Sequence, residues 1–440
     1  MNTTAPAPPL SGSLNIRLSL MMFLQYAIWG AWLPFLWSFL EKHRGMDGKQ
    51  IGTMFAAGAV GAIVGPFLAG QVADRWFSTE RLLGISHLVG AVLVWKLADL
   101  ESYWSFLIVS GIYGFVYAPT LSLTNSLAFH HLPDRDRDFG RVRLWGTLGW
   151  IAVGLAMGQW LALRHSPAEL SGDALAAAQY AGKGDAFRLS AIIGVVMGVY
   201  CFTLPRTPPA RGVQSNATFE ALGEIKRSPL WQLFLLAIPV SCIHQFYFVH
   251  TEPFLSVRQL QAPEWSTAIF GVGGGGLMTV GQMSEVLVIA AIPLVAKRAS
   301  RKTLLAIGLV AYGARMALFA HVDSIPLPEM TTLLLGIALH GLCFGCFIFV
   351  AFMIVDEQTT SDVRASAQNL FNLVIIGIGI ILGSMIAGSV AEWARVDGEI
   401  DYRALFRVPM WASLAVLILL LLIYPGGRQA AHSAQPTPSS

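Results

Sequence analysis

The sequence predicts an all-α membrane protein whose twelve transmembrane helices form two six-helix bundles, and three observations carry that reading. The chain has 440 residues, of which 55% are hydrophobic and 12% charged, with a mean hydropathy of +0.59. That is too apolar and too weakly charged for a pair of soluble domains. Splitting it at charged and Pro/Gly-rich breaks leaves about twelve apolar segments near the ~20 residues that a bilayer requires. The longest internal polar interval, Pro205 to Pro229, falls after the sixth segment and divides the chain into halves.

The spans read in order as Ile16–Leu40, Ile51–Val72, Leu82–Leu100, Tyr103–Phe129, Val142–Leu163, Phe187–Leu204, Leu230–Leu255, Ser266–Ala296, Leu304–Ala320, Thr331–Val355, Ala365–Val390 and Leu405–Tyr424. The organisation that follows is a tail over 1–15, an N-terminal bundle over 16–204, a linker over 205–229, a C-terminal bundle over 230–424 and a tail over 425–440. The linker contains Pro208-Pro209 and a helix-like stretch from Thr218 to Lys226. The first span has Gln25 followed by Pro34-Phe35-Leu36, and the seventh has Gln245 followed by Pro253-Phe254-Leu255, an echo one residue out of register. Duplicated six-helix bundles are the layout of major facilitator transporters, which bind substrate between the halves near mid-membrane.

An even number of spans puts both termini on one side, and the Lys/Arg bias makes that side cytoplasmic. Arg75 and Arg81, Arg135, Arg137 and Arg141, Arg206, Arg211, Lys226 and Arg227, and Lys297, Arg298, Arg301 and Lys302 lie in alternate loops. Lys42, Arg44 and Lys49 stand on the other side. The opening MNTTAPAPPLSGSLN lacks the basic start and cleavage pattern of a signal peptide, so the first apolar run is expected to remain as a helix. A net charge of +3, with basic residues confined to loops, does not describe a nucleic-acid surface. Cys201, Cys242, Cys343 and Cys346 fall in apolar runs and read as packing residues.

The stretch Thr267 to Ala296 is long enough to cross a bilayer yet carries a carboxylate, Glu285, near its middle. Gln282, three residues earlier, shares its helical face. The other polar residues at membrane depth are Gln25, His87, Lys96, Asn125, Arg143, Thr147, His244, Gln245, His250, Glu252, Arg315, His340, Asn369 and Asn372. Lys96, His250 and Glu252 lie near segment ends and read as side chains snorkelling to the interface. Thr147 and the asparagines suit helix-to-helix hydrogen bonds. Arg143 and Glu285 cannot reach an interface easily, so they read as partners across a wet central cavity, either for proton coupling or as a structural ion pair. Tyr26, Trp29, Trp32, Trp150, Tyr247, Phe248 and Phe344 occupy the same spans. Rings beside Gln245, Gln282 and Arg143 suit a nucleoside-like or sugar-like ligand with a π-face and hydrogen-bonding edges.

Several short sequences resemble the nucleoside:proton symporter family, the bacterial nucleoside permeases of the major facilitator superfamily. They are Ala118-Pro119-Thr120-Leu121 with Asn125, Arg143-Leu144-Trp145-Gly146-Thr147, Gln282-Met283-Ser284-Glu285, Arg315 with Leu318-Phe319-Ala320, and Arg364-Ala365-Ser366-Ala367-Gln368. Gly70-Gln71-Val72-Ala73-Asp74-Arg75 also resembles the facilitator loop signature, in which Asp74 and Arg75 would help hold one conformation. By that resemblance Arg143, Thr147 and Trp150 line the substrate cavity from the fifth helix, Gln245 from the seventh, Gln282 and Glu285 from the eighth, and Phe344 from the tenth. Phe248 stands where the permeases have an amide, His340 where they have a tyrosine, and Gly345 where an aspartate follows the aromatic. Phe248 and His340 are therefore counted with the substrate-binding set, and the proton falls to Glu285 or His340.

The resulting expectation is a monomeric importer of nucleosides with protons, resident in the inner membrane with both termini cytoplasmic, and using no cofactor or metal. A sugar symporter and a proton-independent facilitator are the rivals within transport. A ligand sensor without flux would need an output domain of about 50 residues or more. A membrane enzyme would need a metal cluster or nucleophile motif, and the scattered histidines supply neither.

Overall fold

The computed structural model describes residues 8–75, 78–208, 222–259, 262–360 and 363–426. Among these, twelve long helices follow one another: α1 (Gly12–His43), α2 (Gly48–Arg75), α3 (Thr79–Leu97), α4 (Tyr103–His131), α5 (Arg135–Arg164), α6 (Gly172–Cys201), α7 (Leu230–Gln259), α8 (Gly275–Val295), α9 (Arg301–Ala320), α10 (Glu329–Gln358), α11 (Ser366–Trp393) and α12 (Tyr402–Ile423). All but α2 and α3 are, by their described residues, long and apolar enough to cross a membrane.

In the first half α1 packs on α5 and α6, α2 on α4, and α3 on α4 and α6. In the second, α7 packs on α11 and α12, α9 on α10 and α12, and α8 on α10. The halves meet along two seams, α2 against α11 and α5 against α8. Gly48 and Gly388 bring the first seam to backbone contact, since a Cβ on Gly388 would lie 2.2 Å from the Gly48 carbonyl oxygen.

Helix ends differ from the hydropathy boundaries because caps, not lipid, decide where a helix begins. Asp134 accepts from the Arg137 N–H at 3.1 Å, so α5 starts seven residues before the expected Val142. Asp401 accepts from Arg403 and Ala404 N–H groups at 2.9 and 3.2 Å and starts α12 at Tyr402. The sixth span, expected as Phe187–Leu204, is extended at its start by Gly172–Gly182. That segment is rich in alanine, so it forms helix without being apolar enough to register as a span.

The span expected as Ser266–Ala296 is two helices, Glu264–Phe270 and α8, separated by Gly271 to Gly274. Gly271 has φ +69° and sits so close to α5 that a Cβ would fall 1.9 Å from the Gly158 carbonyl carbon. Gln259 at the end of α7 holds the break from both sides, donating to the Gly271 carbonyl at 2.9 Å and accepting from the Gly274 N–H at 2.7 Å. Between α11 and α12 a short antiparallel pair, β1 (Arg395–Val396) and β2 (Glu399–Ile400), interrupts the helical pattern.

Asp74 and Arg75 close α2, but their side chains lie outside the described residues. So do linker residues 209–221, including much of the helix-like stretch, and the tail residues 1–7 and 427–440.

Candidate functional site

Glu285 occupies the middle of α8. Its neighbours Met283 and Leu287 are 40% and 71% exposed and face outward, whereas the Glu285 side chain is only 17% exposed and turns toward α10. There His340 Nε2 lies 3.5 Å from Glu285 Oε2. The other ring nitrogen, Nδ1, accepts from Arg315 Nη1 on α9 at 3.0 Å. Arg315 is fully buried, its guanidinium 3.9 Å from the Tyr247 ring centroid and 5.1 Å from that of Tyr312. A carboxylate, an imidazole and a guanidinium thus form a line from the centre of the bundle into the second half.

Aromatic rings enclose this line. His340 stacks on Tyr247 at 4.9 Å and on His244 at 5.4 Å, and Phe248 meets it edge-on at 5.7 Å. Phe344, where α10 enters a π-helical stretch, lies 6.4 Å away. The enclosure continues into the first half, because Phe248 contacts Trp150 on α5 at 6.2 Å and Trp150 contacts Trp29 on α1 at 6.1 Å. A π-helical stretch re-aims the side chains around it and is frequent at functional sites.

The expected Arg143–Glu285 ion pair does not close. The Arg143 guanidinium folds onto the Tyr26 ring, 3.9 Å from the centroid. Thr147, one turn along α5, is half-buried. Gln282 is 5% exposed and its buried Oε1 has no hydrogen-bond partner among the described residues. Gln245 instead donates to Ser384 Oγ on α11 at 3.0 Å, which fixes its amide within the second half. Gly345 faces Val288 of α8, whose Cγ1 would lie 2.7 Å from an added Cβ.

Gln25 forms a second polar centre, inside the first half. Its side chain donates to Thr120 at 2.8 Å and accepts from Thr124 at 3.0 Å, with His87 Nε2 at 2.9 Å, while Tyr117 donates to the Gln25 backbone carbonyl at 2.6 Å. Every polar atom of the amide is engaged, so this is a fastening between α1, α3 and α4.

Glu252 and His250 require correction, since neither snorkels. His250 is fully buried, with Nε2 3.0 Å from the Ala387 carbonyl and its ring on Trp37 at 4.4 Å. Glu252 is fully buried and paired with Lys183 of α6 at 2.6 Å. Ser38 of α1 donates to Glu252 Oε2 at 2.6 Å and accepts from Lys183 Nζ at 2.8 Å, while Ser256 bonds both ions at 2.7 and 3.0 Å. Lys96, by contrast, is exposed, as an interfacial lysine should be. The Lys183 cluster ties the two halves together near the face distal to the termini. Beyond it, Glu41 meets Arg395 at 2.7 Å and Lys42 meets Glu399 at 2.5 Å. Lys183 was hidden from sequence reading in an interval taken for loop; the uninterrupted helix-forming run over Asp173–Gly182 was the available signal.

Two packed six-helix halves, tied together by ion pairs near one face and carrying charged and aromatic groups midway along their apolar helices, define a secondary transporter. The sequence model of the family described as Nucleoside H+ symporter matches residues 12–427. The chain belongs to that family, whose members are transporters and not enzymes. It is 32% identical over 413 residues to the putative nucleoside transporter YegT of Escherichia coli (strain K12), covering 92% of each chain. It is 29% identical to the nucleoside permease NupG of the same organism, covering 90% of this chain and 92% of the permease. The crystal structure of nucleoside transporter NupG superimposes with a TM-score of 0.79 at 25% identity, over 93% of this chain and 98% of that one.

Proposed function

We propose that this protein carries nucleosides and protons together across the cell inner membrane by alternating access, as a monomer with both termini in the cytoplasm. The observation that carries the reading is Glu285: a carboxylate halfway along α8, beside His340 of its own half, on the helix that packs against α5, which carries Arg143 of the other. When ionised it attracts Arg143 across the interface, and when protonated it does not, so proton binding changes the force between the halves. Gln282 and Arg143 offer hydrogen bonds to base or sugar edges, and Trp150, Phe248 and Phe344 offer faces for stacking. Thr147 adds a hydroxyl on the same wall. The named activities of YegT, NupG and the xanthosine permease of Escherichia coli, the last 29% identical over 424 residues, support a nucleoside over a free sugar.

The Lys183–Glu252 cluster acts as the gate of the distal face, which the Lys/Arg bias makes periplasmic. Asp74 and Arg75 are proposed to hold one conformation from the opposite face.

Uptake of labelled uridine into proteoliposomes, challenged with a panel of unlabelled nucleosides and sugars, tests the substrate class. Competition by nucleosides and not by sugars is expected; the reverse pattern would assign a sugar transporter.

A further inference from the structure

Building on the proton-coupled reading above, we infer that Arg315 is the fixed counter-charge of Glu285, acting through His340, and that His340 is a neutral N–H donor rather than the proton carrier. An arginine side chain has donors only. The nitrogen of His340 that meets Arg315 Nη1 at 3.0 Å must therefore accept, and the ring proton of a neutral imidazole then sits on Nε2, the atom 3.5 Å from Glu285. A doubly protonated ring would set an N–H and a positive charge against the guanidinium. Among the described residues the carboxylate facing the ring is Glu285 alone, one anion for two cations. The groups around the ring are His244 and Tyr247 from α7, Tyr312 and Arg315 from α9, Cys343 from its own helix and Glu285 from α8, with Arg143 on α5, the helix of the other half that packs on α8.

Arg315 needs a counter-charge. It is fully buried, and its Nε and Nη2 have no hydrogen-bond partner among the described residues. Tyr247 and Tyr312 offer ring faces, which stabilise a cation without neutralising it. Glu285 is the carboxylate connected to it, through one imidazole. The line Glu285–His340–Arg315 is neutral when Glu285 is ionised and carries one positive charge when Glu285 is protonated. The arginine thereby sets the pH at which the carboxylate loads, and the histidine transmits its charge and aims the carboxylate. Arg315 is a positioning residue, fully buried behind His340 and acting through it.

Proteoliposomes holding the full chain separate these roles through two readouts. One is uridine counterflow without a pH gradient; the other is gradient-driven uridine accumulation as a function of external pH. His340→Gln keeps one acceptor and one donor but cannot titrate; whatever it costs in counterflow rate, gradient-driven accumulation should persist in proportion to the counterflow that remains. Arg315→Gln should carry half-maximal accumulation to a higher external pH by about one unit, the size expected for loss of a nearby opposite charge. Arg315→Lys, which keeps the charge, should move it less and serves if the glutamine variant fails to fold. Loss of accumulation with intact counterflow in His340→Gln would make His340 the carrier and overturn the inference, as would an unmoved profile in Arg315→Gln. Failure of the symport reading looks different: the unmodified protein would show counterflow but no gradient-driven accumulation, and the inference would fall with it.

Discussion

Lys183 on α6 and Glu252 on α7 meet at 2.6 Å with neither side chain exposed, and the two belong to opposite halves of the transporter. Moving between access states requires this pair to separate. A buried ion pair that loses one partner leaves the other charge without compensation, at a cost of about 3–5 kcal/mol, whereas replacing both by apolar residues is much closer to neutral.

Lys183→Met alone should therefore weaken the sealed distal face. About 3 kcal/mol corresponds to more than a hundredfold change in an equilibrium. A cysteine at Phe35, buried just behind the cluster, should then react far faster with a membrane-impermeant maleimide than in the parent. Adding Glu252→Met should largely restore protection. Equal labelling in all three proteins would show that the pair does not close this face.

Gly271→Ala tests the break that starts α8 where it does. The backbone at φ +69° suits glycine, and an added Cβ would run into Gly158 of α5. Strain of about 1–3 kcal/mol from the dihedral, with overpacking added, should lower the unfolding temperature clearly in a thermal-shift assay. Gln259→Ala should act in the same direction by releasing the Gly271 carbonyl and the Gly274 N–H. An unchanged unfolding temperature in Gly271→Ala would mean that the seam tolerates separation.

Gly345 lacks the aspartate expected by family resemblance, and Val288 stands against the space a side chain would need. Gly345→Asp alone should overpack this contact by about 1–3 kcal/mol and reduce uridine uptake. Pairing it with Val288→Ala should recover stability. Recovery without the second substitution would show that Val288 moves aside freely.

The bundle was legible in the sequence because hydropathy and span length are set by the bilayer, so the order of helices followed from composition alone. Glu285, Gln282 and Arg143 were legible for a related reason: a polar residue in a long apolar run is conspicuous. Partners were not. Hydropathy reports depth and says nothing of azimuth, so Glu285 was matched with Arg143 when its contact is His340. Depth also misled for Glu252, which looked interfacial until Lys183 appeared opposite it from a segment too polar to be read as a span. The break at Gly271 was missed because a run of small apolar residues scores like helix, although several of its glycines adopt positive φ.

Proton movement coupled to uridine entry is the most direct test of the whole account. Proteoliposomes enclosing a pH indicator should acidify inside when uridine is added to the unmodified protein, and Glu285→Gln should bind and exchange uridine without that acidification. Undiminished acidification in Glu285→Gln would contradict a central role for this carboxylate.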